Sequence, residues 1–126
     1  MDVLGLRGKV AVVTGGGGNI GTATVRLLGQ LGANVLVADS NIESAESAAA
    51  RTREDGADAV AVQCDVRRPD DIERMVEVAL DRWDRLDVGV NIEPGSGVAA
   101  AQDYWRRNSP VALAKLTGGA NAGLAA

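Results

Sequence analysis

The chain is predicted to belong to the α/β class, as a three-layer sandwich around a parallel sheet of strand order 3-2-1-4, truncated before a fifth strand. Three observations predict it. Apolar runs of strand length alternate with stretches of helical periodicity, four consecutive glycines (Gly15 to Gly18) join the first strand to the first helix, and an acid, Asp39, ends the second strand. Crossovers of this length force parallel strands, because each one returns right-handed to the same sheet.

The first strand is Lys9 to Thr14. After the glycines, Ile20, Ala23, Leu27, Leu28 and Leu31 recur at helical spacing and read as the core face of a helix that starts near Asn19 or Ile20 and ends at Gly32. Asn34 to Ala38 is a second buried strand, stopping at Asp39. Ser40 or Asn41 can cap a helix from Ile42 to about Asp55, closed by Gly56. Ala59 to Cys64 is the third strand, ending in Asp65-Val66. Pro69 suits a first helical position, with Asp70 and Asp71 in the first turn, where negative charge complements the helix dipole. Ile72, Met75, Val76, Ala79, Leu80 and Trp83 make the clearest amphipathic stripe, and Arg74, Glu77, Asp81 and Arg82 form its solvated face. Leu86 to Ile92 is the fourth strand, weakened by Gly89. Residues 93–126 read as a weakly specified helical tail, interrupted by Gly118, Gly119 and Gly123. Residues 1–126 are expected to form a single Rossmann-type domain.

A strand, a glycine turn and a helix in succession make a phosphate cradle. Glycines let backbone N–H groups approach a diphosphate without obstruction by a Cβ, and the helix start adds unpaired donors and a positive dipole end. The cofactor-binding candidates are Gly15, Gly17, Gly18, Asn19, Ile20 and Gly21 on the loop, with Asp39 and Ser40 at the tip of the second strand. A carboxylate there accepts hydrogen bonds from ribose hydroxyls and repels a 2′-phosphate. No Arg or Lys stands at Gly18, Ser40 or Asn41 to offset that repulsion, so NAD is expected rather than NADP. A P-loop is excluded: Gly21 is followed by Thr22, and no lysine occurs between Lys9 and Lys115. A methyltransferase shares the glycine loop and the second-strand acid and stays open on these residues alone.

Composition narrows the partners. The formal net charge of -4 and the absence of Phe, with rings only at Trp83, Trp105 and Tyr104, argue against nucleic acid, which needs a basic face or stacking platforms. No histidine is present and Cys64 is the single cysteine, so no metal site and no internal disulfide are expected. Cys64 ends an apolar run and reads as a buried thiol. No apolar run reaches the roughly 18 residues of a membrane span and no signal peptide is evident, so no membrane partner and a cytoplasmic location are expected.

With these residues in view, the chain resembles the short-chain dehydrogenase/reductase family. Thr14 to Gly21 is similar to its T-G-x-x-x-G-x-G loop, with Asn19 in place of the middle glycine, and Asp39 matches the acid of the NAD-preferring members. Cys64-Asp65-Val66 resembles the step after the third strand, whose Asp side chain and following backbone flank the adenine; this implies roles for Asp65 and Val66. Asp84 to Asn91 resembles the stretch that leads into the N-N-A-G motif, which implies a cofactor role for Asn91. Glu93 departs from that motif, bringing a carboxylate close to where the cofactor should lie.

The resemblance implies hydride transfer between NAD and an alcohol or ketone. The family's catalytic Ser and its Tyr-x-x-x-Lys pair belong to a half that these 126 residues do not match. Tyr104 is followed four residues later by Asn108, not by a lysine, and Lys115 stands where the family has a catalytic asparagine. No catalytic residue is therefore assigned. The expected protein is an NAD-binding relative without turnover of its own, acting as a homo-oligomer or with a missing C-terminal half. The alternative is a degenerate relative that self-associates through its open sheet edge.

Overall fold

The computed structural model describes Asp2 and residues 4–92; the expected helical tail at 93–126 lies outside the described residues. The elements run β1 (Val10–Thr14), α1 (Asn19–Gln30), β2 (Asn34–Asp39), α2 (Ile42–Glu54), β3 (Ala59–Gln63), α3 (Pro69–Trp83) and β4 (Val88–Asn91). All strand pairs are parallel and the order is β3-β2-β1-β4, as the sequence predicts. Thr14 pairs with Ala38 on one side and Asn91 on the other. The carboxyl ends of β1, β2 and β4 thus finish level, at the point where strand order reverses from leftward to rightward.

Both central strands are covered on two faces, which is why they read as continuous apolar runs rather than alternating ones. Val10, Val12, Leu36 and Ala38 join Ile72, Met75 and Ala79 of α3 in one half-core, with Cys64 and Val66. Val13, Val35 and Val37 join Val25 of α1 and Ala45, Ala48 and Ala49 of α2 in the other. The α3 stripe packs as its periodicity predicts: Ile72, Met75, Val76 and Ala79 are buried and Trp83 is partly buried against the core. The indole N–H of Trp83 donates to Asp58 at 2.8 Å, and Arg82 donates to the other oxygen of that carboxylate at 2.7 Å. Among the described residues, no helix is long and apolar enough to cross a membrane.

Helix α1 corrects the expected core face. Its buried residues are Gly21, Val25 and Gly29, whereas Ala23 is exposed, Ile20 is 72% exposed and Leu27 55%. Only Leu28 of the predicted leucines packs against the core cluster, and partly. The cause is close approach. A Cβ on Gly29 would lie 2.7 Å from Thr52 Cγ2 and 2.9 Å from the Ala57 Cβ, so no leucine fits on the line that faces the sheet and α2. The apolar residues are displaced to its flanks.

At the opposite end of the sheet from the glycine loop, Asp87 ties β4 to β1. Its carboxylate accepts the buried Val10 N–H at 2.8 Å, and its own N–H donates to the Val10 carbonyl at 2.9 Å. Arg85 and the Val10 N–H hold the Asp87 carboxyl below its ordinary 3.8, against a smaller opposing effect of burial. A folded-state pKa below the unfolded one stabilises the fold above about pH 4, and that contribution disappears as pH falls through the folded value. Asp87→Ala leaves the Val10 N–H without its partner, an expected loss of roughly 1–3 kcal/mol. Urea melts at pH 7 and pH 3 check both points: the difference between wild type and Asp87→Ala should shrink at the lower pH.

Candidate functional site

The β1–α1 turn is built by exclusion of side chains. Gly15 adopts φ +71, turning the chain out of the sheet, and Gly16 N–H donates to the Ala38 carbonyl at 3.1 Å. Gly21 sits in the first turn of α1, where a Cβ would fall 2.1 Å from the Gly15 carbonyl oxygen and 2.6 Å from Gly16 Cα. Loop and helix are therefore in backbone contact. Gly18 is the N-cap residue in extended conformation and supplies no side-chain cap. Gly18 and Thr22 N–H bond within the turn, but the N–H groups of Asn19, Ile20 and Gly21 find no protein acceptor among the described residues. Three adjacent donors at a positive dipole end face outward.

These donors border a cleft of about 420 Å³ lined by Gly15, Gly18, Asn19, Ile20, Gly21, Asp39 and Ile92. Asp39 is half-buried, and its oxygens are held from two sides: Gly17 N–H donates to Oδ2 and Asn41 N–H to Oδ1, each at 3.0 Å. Each oxygen keeps a further lone pair for a ligand hydroxyl. Asp39 is the one titratable side chain lining this cleft among the described residues.

The remaining predicted residues divide. Ser40 and Asp65 line a neighbouring cleft of about 430 Å³ with Gln63, Arg68, Asp71 and Arg74. The Ser40 carbonyl accepts the Gln63 side-chain N–H at 3.2 Å. Asp65 is paired with Arg67, whose guanidinium donates to both carboxylate oxygens at 3.0 Å; that pair and the Arg67 backbone N–H bring its pKa down to about 2. Val66 is 5% exposed as a whole residue and belongs to the core. Asn91 faces the sheet: its Oδ1 accepts the Thr14 hydroxyl at 2.9 Å, joining β4 to β1 just below the glycine turn. Glu93, Tyr104, Asn108 and Lys115 lie outside the described residues.

Ile92, Asn41 and Arg67 join the site without having been singled out from the sequence as site residues. Asn41 carries a readable signal, a capping residue two positions after a strand-end acid. Nothing in the sequence marks Arg67 as the partner of Asp65, and Ile92 reads only as the end of a strand.

Comparison with known proteins gives this geometry a family. The profile of the short chain dehydrogenases matches residues 9–107. The chain belongs to the short-chain dehydrogenase family. A short chain dehydrogenase/reductase of Aspergillus oryzae is 34% identical over 81% of this chain and 41% of its own length. A 2,5-dichloro-2,5-cyclohexadiene-1,4-diol dehydrogenase of Sphingobium indicum is 42% identical over 68% of this chain and 33% of its own. The chain thus spans roughly a third to two fifths of the curated short-chain dehydrogenases it matches. Among solved structures, an NAD+-bound xylitol dehydrogenase superposes with a TM-score of 0.75 at 24% identity, over 96% of this chain and 60% of that one. Levodione reductase gives 0.64 at 28% identity, over 67% and 33%. The solved structures share the Rossmann-like fold with this chain, and the matched profile and relatives carry the oxidoreductase family.

Proposed function

We propose that the chain binds NAD(H) and that these 126 residues do not catalyse hydride transfer by themselves. The observation that carries the reading is the set of three N–H groups at Asn19, Ile20 and Gly21 that find no protein acceptor among the described residues and border one cleft with Asp39. The donors suit a diphosphate and the acid suits the adenosine ribose. Gly21 lies in backbone contact with Gly15 and Gly16, which a Cβ would break, and this holds the loop against the start of α1. The adenine would lie toward Ser40, Asp65 and the Val66 backbone, with Ile20 and Ile92 as apolar walls. A bound nicotinamide would supply hydride-transfer chemistry for an alcohol or ketone only where other residues complete the reaction site. The residues of this chain bind and orient it. Asp39, the titratable group among the described lining residues, is engaged by two backbone donors at the far end of the cleft, so the described residues supply no proton donor for a substrate oxygen.

Titration calorimetry of the chain with NAD+ and with NADP+ tests the reading. Saturable heat with NAD+ and weaker binding of NADP+ are expected, and no heat with either would overturn it.

Asn19 stands where the dinucleotide fingerprint uses a glycine so that the backbone can reach the pyrophosphate. Asn19→Gly is expected to tighten NAD+ binding while lowering helix stability by up to about 1 kcal/mol. Calorimetry paired with a thermal melt reads both effects, and weaker binding would instead mean that the carboxamide contacts the ligand.

A further inference from the structure

Gly17 carries no unusual backbone angle, yet it has no room for a side chain. A Cβ there would lie 2.7 Å from Ser44 Cβ, 2.8 Å from Ser44 C and 2.9 Å from Ala45 N, all in the first turn of α2. The same residue donates its N–H to Asp39 Oδ2 at 3.0 Å. Asn41 donates to Asp39 Oδ1 at 3.0 Å and accepts the N–H groups of Glu43 and Ser44 at 3.1 and 3.2 Å. The contacts close on themselves: Gly17 to Asp39, Asp39 to Asn41, Asn41 to Ser44, and Ser44 back onto Gly17.

We propose that the first turn of α2, seated on Gly17 and capped by Asn41, sets the choice between NAD and NADP; this rests on the dinucleotide reading above. The seat does two things. It fixes the Asp39 carboxylate in the cleft wall, so that no rotation moves its charge away from an incoming 2′-phosphate. It also bars any side chain from loop position 17, which borders that carboxylate, and so denies the loop a cation there to neutralise the phosphate. Asn41 and Ser44 are positioning residues in this scheme, acting through Asp39 and Gly17.

The ratio of the NADP+ and NAD+ dissociation constants isolates this role, because general damage to the fold weakens both ligands together and leaves the ratio unchanged. Wild type, Gly17→Ala and Asn41→Ala would each be titrated with both dinucleotides by calorimetry. Wild type should favour NAD+. Both variants keep the backbone donors to Asp39 and only displace them, so each should lose roughly fivefold in NAD+ affinity, the scale of one lost helix cap, with a smaller change for NADP+ and hence a narrower ratio.

Asn41→Ala removes a surface cap and introduces no clash, so it serves if Gly17→Ala does not fold. Amide hydrogen exchange gives a readout without ligand: the Gly17 amide should be protected in wild type and exchange faster in Asn41→Ala. A wild type that binds neither dinucleotide overturns the proposed function. A wild type that favours NAD+ while both variants keep its ratio overturns the α2 seat alone.

Discussion

Asp39→Ala is expected to weaken NAD+ binding by roughly 1.5–3 kcal/mol, one to two orders of magnitude in Kd, the range of a hydrogen bond to a charged partner. The carboxylate acts twice. It lines the cleft where the proposed ribose would lie, and it accepts the Gly17 N–H at 3.0 Å, so its loss also frees the glycine turn. Asp39→Asn separates the two contributions. The amide keeps the shape and one acceptor oxygen but not the charge, so it should recover part of the NAD+ affinity and relax the rejection of NADP+. Calorimetric titration of the three proteins decides the matter. Equal NAD+ affinity in wild type and Asp39→Ala would remove the acid from the site.

The second large effect is expected at Gly21. The Cβ of alanine would sit 2.1 Å from the Gly15 carbonyl oxygen, 2.6 Å from Gly16 Cα and 2.8 Å from Gly16 C. All three are backbone atoms, so no side-chain rotation relieves the collision; loop and helix must separate. Overpacking costs typically about 1–3 kcal/mol and more where the backbone must move, and a loss near 3 kcal/mol is a large share of a domain's usual roughly 5–15 kcal/mol. Gly18 is the internal control on the same loop. A Cβ there meets only the Gly15 carbonyl oxygen, at 3.8 Å, and its extended backbone suits any residue. Thermal unfolding of Gly21→Ala and Gly18→Ala should show a fall of several degrees or more in the first and little change in the second. Equal midpoints would mean that the backbone contact between loop and helix is not needed for the fold.

Much of the architecture was legible because periodicity and punctuation agree along the chain. The runs at Val10 to Thr14 and Asn34 to Asp39 are the two central strands and Ala59 to Gln63 is an edge strand, and Gly32 and Gly56 end their helices with φ +96 and +98. Helix α1 faces the core along a line that its apolar spacing does not mark. Its buried line is Gly21, Val25 and Gly29 at intervals of four, and glycine adds nothing to an apolar pattern even when its purpose is to let two elements meet. The lining of the candidate cleft was legible where main chain supplies it, at Gly15 and Gly18 to Gly21, and at Asp39, whose place follows from the end of a strand. It was less legible where one side chain chooses another. The pairing of Arg67 with Asp65, the turn of the Val66 side chain into the core and the bond from Thr14 to Asn91 depend on rotamers and on neighbours across the sheet, which local spacing does not encode.

The two half-cores differ in the size of what fills them. Ile72, Met75 and Leu36 separate α3 from the sheet, whereas α1 and α2 lie on Val25, Ala45, Ala48, Ala49 and the glycines. The buried helix residues on the α1–α2 side are smaller than those of α3. Small side chains in that layer let α2 lean on the glycine loop, with Ser44 and Ala45 against Gly17, so residues that do not line the cleft still act on the loop that borders it. A bulkier residue at Ala48 would act as a shim, lifting α2 and loosening the grip on Asp39 from beneath.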